Sequence, residues 1–263
     1  MDIFLAFLAI GLYLIAAVLL SARLSQAMKN KPSLALAFGG LAAVLHLLFL
    51  VHEILGMPGQ NMSITNVLSL TAWLITVVLL ASSRFVPNTI LLPVVFSFSA
   101  LTLLVTVLIP ARHIMHIELQ PGLVIHIVLS LLAYCVLVIA FLYALQMSFI
   151  TYRLKQKGAS LIHSSLPPLT LVEGILFKML AVGTVLLFVA QLSGFVFLDD
   201  MFGKAYAHKT VLSLAALVVF VILVAGQRLW GWRGKQVFSL TVIGVILLSL
   251  AYFGSRVVRE VLL

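Results

Sequence analysis

The sequence predicts an all-α, polytopic transmembrane helical bundle of about eight spans, and three observations carry that prediction. Of 263 residues, 63% are hydrophobic and 9% are charged, more apolar surface than a water-exposed domain of this length buries. The mean hydropathy is +1.26. The apolar residues also fall into uninterrupted runs of about 20, the length that crosses a hydrocarbon core about 30 Å thick. A membrane barrel would instead show short alternating segments. The single cysteine, Cys135, lies inside one of these runs, so no internal disulfide framework is available.

The first run, residues 3–21, follows Asp2 and precedes Arg23, Lys29 and Lys31. A secretory signal carries its positive charge before the apolar region, so this order predicts a retained helix with its N-terminus outside. Residues 34–51 form the second run, closed by His52 and Glu53, and residues 67–83 the third, closed by Arg84. The fourth covers residues 89–109 with Pro93 near its start, where proline is tolerated. Residues 123–150 form the fifth, longer than a bilayer needs. A polar segment, 151–168, carries Arg153, Lys155 and Lys157. Residues 169–179 place Glu173 and Lys178 among leucines and read as an interfacial helix. Together, 151–179 form a cytoplasmic loop and interfacial helix within a single integral membrane domain covering 1–263. The sixth run is residues 180–198, the seventh 208–226. Trp230 and Trp232 in the basic segment that follows read as interfacial anchors. The eighth run is residues 237–254, with Arg256 and Arg259 beyond it.

Eight spans starting outside put both termini on the outer, periplasmic side, and the lysines and arginines agree. Arg23, Lys29, Lys31, Arg84, Arg153, Lys155, Lys157, Lys178, Arg228, Arg233 and Lys235 fall inside. Arg112, Lys204, Lys209, Arg256 and Arg259 fall outside. Eleven of the 16 are on the side that the positive-inside rule favours. The formal charge of +9 is explained in the same way, with the lipid bilayer as partner and no nucleic acid.

On this topology His52, His113, His116, His126 and His208 lie at or near the outer face, with His46 in the outer half of its helix. His163 alone lies inside. His126 shares a helical face with Ser130, Ala133, Tyr134 and Leu137. His46 shares one with Gly39, Ala42, Ala43 and Glu53. Small residues around an imidazole serve either close helix packing or a ligand, and intramembrane ionisable groups face the bundle interior. His46, His126 and His208 therefore each either fix helix contacts, through another histidine, Glu53 or backbone, or ligate, whereas His52, His113 and His116 read as ordinary outer-loop residues. His113 and His116, three apart, could clip a metal on a helical turn, but no cysteine or paired carboxylate completes a zinc set. Haem iron accepts imidazole nitrogens on its axis, and its propionates take guanidinium partners. Arg256 is one such partner, or else a lipid-headgroup anchor. The sequence contains no P-loop, GxSxG, HExxH, CxxCH or CxxC, so the expectation is a protein that is not an enzyme.

The runs GLVIHIVLSLLAYCVLVIAFLYALQ, PPLTLVEGILFKMLAVGTVLLFVAQLSGF, HKTVLSLAALVVFVILVAGQRLWGWRGK and AYFGSRVV resemble the cytochrome c assembly family of CcsA-, CcmC- and HemX-like membrane proteins. The resemblance covers most of the chain. It implies residence in a bacterial inner membrane and haem handling at the outer face. His126 matches the histidine opening the helix before the family's tryptophan-rich external loop. His208 stands by position at the haem edge, and His46 matches a transmembrane histidine. His126 and His208 are thus candidate haem-iron ligands, with His46 and Arg256 as further cofactor contacts. The chain departs from the pattern where residues 199–207 hold no tryptophan and where no histidine follows the eighth run. The implied function is haem binding or handling in cytochrome c or other haem-protein biogenesis, with assembly factors as partners and without the full synthase loop. The alternative is an accessory subunit or regulator of a membrane transport complex that keeps the fold but not haem.

Overall fold

The computed structural model describes residues 2–24, 32–56, 58–86, 88–109, 111–116, 120–156, 167–197, 203 and 207–254. The chain divides into two compact units, Met1–Ile117 and Glu118–Leu263. The first holds α1 (Asp2–Leu24), α2 (Pro32–Leu55), α3 (Ile64–Ser82) and α4 (Leu92–Leu108). It also has a two-residue antiparallel pair, β1 (Gln60–Asn61) against β2 (Ile114–Met115). The second holds α5 (Pro121–Gln156), α6 (Leu169–Phe197), α7 (Ala207–Trp230) and α8 (Lys235–Ser249), which runs into a π-helical turn, Leu250–Gly254.

Seven of the described helices are long and apolar enough to cross a membrane, and α4 is a shorter apolar one. Its 17 residues rise about 25 Å, the lower end of spanning length. The all-α polytopic bundle of about eight spans is therefore what forms. Large apolar side chains such as Phe4, Val18 and Val196 stand exposed along the helices. Water would penalise each by about 1.5–3 kcal/mol, whereas lipid does not.

With lipid outside, apolar burial no longer drives helix against helix, and close approach and polar pairing take over. In the first unit, α2 brings Gly39 under the Phe96 ring of α4, which occupies the space a Cβ would need. A polar seam runs beside it. Thr76 and Ser99 hydroxyls lie 2.7 Å apart between α3 and α4, and Thr106 donates to the Thr65 carbonyl. Trp73 donates its indole N–H to the Ala43 carbonyl of α2 at 2.8 Å. Ser63 caps α3 through the Asn66 N–H. At the other end of α3, fully buried Asn88 donates to the Leu79 carbonyl and the Ser82 hydroxyl. Pro93 falls within the first turn of α4, as expected from its position.

In the second unit α5 and α6 are antiparallel neighbours. Leu137 fills the space over Gly183, and eleven residues earlier in α5 and ten later in α6 the pair is His126 with Ser193. The structure departs from the sequence reading at α6. Residues 169–179 are not a separate helix but the first three turns of a continuous 29-residue one. Glu173 and Lys178 suggested a boundary, yet neither residue breaks a helix, and Gly174 costs only about 1 kcal/mol there. The fifth helix likewise continues to Gln156, six residues into the segment read as polar loop.

Candidate functional site

The first turns of α5 carry His126, half-buried against α6. Its Nδ1 lies 3.0 Å from the Ala190 carbonyl oxygen and 3.2 Å from the Ser193 hydroxyl. A carbonyl can only accept, so Nδ1 carries the proton and Nε2 the lone pair. Ser193 donates its own proton to the same carbonyl at 2.8 Å, leaving its oxygen open to the imidazole. Nε2 has no partner among the described residues. This is how a ligating histidine is prepared: one ring nitrogen fixes tautomer and orientation, and the other is presented to a Lewis acid.

Local sequence explains the placement. Gly122, one turn before His126, lets the Phe197 ring of α6 lie across the start of α5. Ser130, one turn after it, is buried. A further turn on, about 12 Å along the axis from His126, is Tyr134. Its hydroxyl pairs with Ser249 at 2.9 Å. Its ring stacks on Tyr252 at 5.2 Å and meets Phe253 edge-on at 5.6 Å. Tyr252 and Phe253 belong to the π-helical turn, a departure from regular helix that recurs at functional positions. The turn packs against α7 as well. Since Phe220 packs over Gly244 of α8, the antiparallel course of α7 brings its start to the same end. His208, the second residue of α7, is exposed there. No hydrogen bond or ring contact joins His126 to His208 among the described residues.

His46 lies in the first unit, wholly buried. Nε2 is 2.8 Å from the Ser69 hydroxyl and Nδ1 is 3.4 Å from the Tyr13 hydroxyl, with the two rings edge-on at 5.9 Å. Both ring nitrogens are engaged, and neither partner is Glu53, the acid that the shared face suggested. The small residues beside it serve close packing, since Gly39 receives the Phe96 ring. Sequence reasoning overlooked Tyr13 and Ser69. A tyrosine and a serine in apolar runs were the available signal, with nothing to indicate which histidine they meet.

The remaining candidates fall elsewhere. His113 and His116 flank β2, an extended segment, so no helical turn sets them as a metal clip. Among the described residues no three of His, Cys, Asp and Glu gather around a metal-sized space. His52 is exposed at the end of α2. Arg256, Arg259, His163, Asp199 and Asp200 lie outside the described residues, as does most of the loop 199–207. Trp230 and Trp232 stack at 5.9 Å at the other end of the second unit.

Three comparisons with known proteins bear on this site. A family model described as cytochrome C assembly protein matches residues 34–263. The chain is 36% identical over 260 residues, 98% of either chain, to a protein of Escherichia coli K12 named inner membrane protein YpjD. It is 32% identical over 147 residues, 54% of either chain, to an uncharacterized 28.8 kDa protein of Azospirillum brasilense. No solved structure matches. The spanning helices and the Escherichia coli relative's name agree on a multi-pass protein of the inner membrane.

Proposed function

The chain belongs to the cytochrome c assembly protein family, and from that premise we propose that it binds haem at the α5–α7 end of its second unit in the course of haem-protein biogenesis. The observation that carries the reading is His126. Its Nδ1–H is held by the Ala190 carbonyl and its Nε2 lone pair is left open, the donor chemistry an axial imidazole needs. His208, exposed at the start of α7, is the candidate second ligand, and Tyr134, Tyr252 and Phe253 offer an aromatic wall for the macrocycle. Arg256, two residues beyond the π-helical turn, is the candidate propionate partner. Haem, when bound, would supply an iron centre, which the imidazoles of His126 and His208 would hold. This chain's part would be to hold and orient it, and the tryptophan-free loop 199–207 supports a role in binding rather than in presenting haem for attachment. His46, with both nitrogens occupied, has a packing role in this reading.

Protein purified gently from haem-replete cells should show a Soret band that weakens in His126→Ala and in His208→Ala. Stable, monodisperse protein without that band would sink the proposal. If, in addition, another membrane protein co-purified unchanged with both histidines replaced, the accessory-subunit reading would stand in its place.

A further inference from the structure

At the opposite end of the second unit, a cavity of about 180 Å³ opens between α6 and α7, lined by Phe177, Lys178, Ala181, Val224, Gln227 and Arg228. We infer that it is a binding site for the phosphate of an anionic membrane phospholipid.

Depth is the first support. From Lys178 to the end of α6 at Phe197 is 19 residues, and from the start of α7 to Arg228 is 21. At 1.5 Å per residue these are about 28 and 32 Å, one hydrocarbon thickness each. Both cations therefore stand at the same membrane–water boundary, where lipid phosphates lie. Trp230 and Trp232 stack just beyond, as boundary aromatics do. Trp232 is seated by its ring lying flat over Gly226, a position where any larger residue would displace it.

Charge is the second support. Arg233 has a carboxylate of its own, Glu173 at 3.5 Å. Among the described residues neither Lys178 nor Arg228 has one, yet they converge on one cavity from two helices. Lys235 adds a further cation on an adjoining groove shared with Trp232, Gln236, Ser239 and Leu240. Lys178, Arg228, Arg233 and Lys235, with Arg153 and Lys155 in the last turn of α5, thus outnumber Glu173, the one acid among the described residues at this end. An anion must come from outside the chain, and basic pockets between spanning helices at this depth take lipid headgroups.

Size and lining select the ligand. A cavity of 180 Å³ is below the roughly 300–1,000 Å³ of sites for drug-sized molecules. It suits one phosphate and not a nucleotide or a macrocycle. Ala181 and Val224, nearer the membrane centre than Lys178 and Arg228, give an acyl chain an apolar path.

The test uses full-length protein in neutral detergent, with thermal unfolding followed on adding phosphatidylglycerol, phosphatidylcholine or inorganic phosphate. Phosphatidylglycerol should raise the midpoint by several degrees while the other two do not. The shift should be lost in Lys178→Gln/Arg228→Gln and kept in the first-unit control Arg84→Gln. An equal response to phosphatidylcholine, or a response surviving the double substitution, overturns the site. An equal response to inorganic phosphate overturns the lipid assignment in favour of a free-anion site. Should the double variant fail to fold, native mass spectrometry of the unaltered protein and of Arg228→Gln decides. Preferential retention of phosphatidylglycerol by the former and not the latter supports the site, and equal retention overturns it.

Discussion

His126 and His46 are both imidazoles in apolar helices with small residues one turn away, and their sequence contexts do not separate them. Their hydrogen bonds do. His126 spends one nitrogen on the Ala190 carbonyl and keeps the other, whereas His46 spends both, on Ser69 and Tyr13. The two should therefore fail differently. His46→Ala leaves the Tyr13 and Ser69 hydroxyls facing a void, at a cost of about 1–3 kcal/mol for unsatisfied buried groups. It should lower the unfolding midpoint and leave the Soret intensity per folded molecule unchanged. His126→Ala, at a half-buried position, should weaken the band with little change in stability. Measuring absorbance and thermal midpoint on the same preparations checks both, and interchanged phenotypes would move the haem role from His126 to His46. That His46 meets Tyr13, 33 residues away, was not legible because periodicity reports which face a residue occupies and not what faces it.

At the scale of elements, the spans were legible because lipid imposes length and hydropathy on each helix separately. The exceptions have local causes. Strands of two residues, β1 and β2, leave no periodic signal, and they form because Gly59, at φ +90°, permits the turn that presents Gln60 to Met115. The α6 start was misplaced because charge was read as a helix boundary where no backbone breaker exists. The candidate site follows the same division. His126 and its face were legible, while Ala190 and Ser193, which orient it, lie 64 and 67 residues away on another helix. Helix pairing makes its own demand. Gly39 of α2 has the Phe96 ring where a methyl group would go, so Gly39→Ala should cost about 1–3 kcal/mol by overpacking. Phe96→Leu in the same chain should return part of that loss. A thermal-shift double-mutant cycle gives the coupling, and strict additivity of the two changes would mean the helices do not meet there.

For the molecule as a whole, the remaining question is which end of each helix faces which compartment. All eight helices must cross for both termini to share a side, and α4 is the test case, with 17 residues rising about 25 Å. Its first turn is freed of one backbone donor requirement by Pro93, and its large exposed residues Val94, Phe98, Leu101 and Leu108 are apolar, with Ser97 the one exposed hydroxyl among them, which suits a full crossing. The positive-inside rule then predicts the direction, with eleven of the 16 basic residues on one side of an eight-span arrangement. If α4 did not cross, every helix of the second unit would invert, and Lys178, Arg228, Arg233 and Lys235 would move outside, against the charge rule. Reporter fusions separate these arrangements. Alkaline phosphatase joined after Leu263 should be active and green fluorescent protein there dark, while a fluorescent protein joined after Gln156 should be bright. Fluorescence at the C-terminal fusion together with a dark Gln156 fusion would place the second unit the other way round. His126 and His208 would then open to the cytoplasm and the Lys178–Arg228 cavity to the outer leaflet.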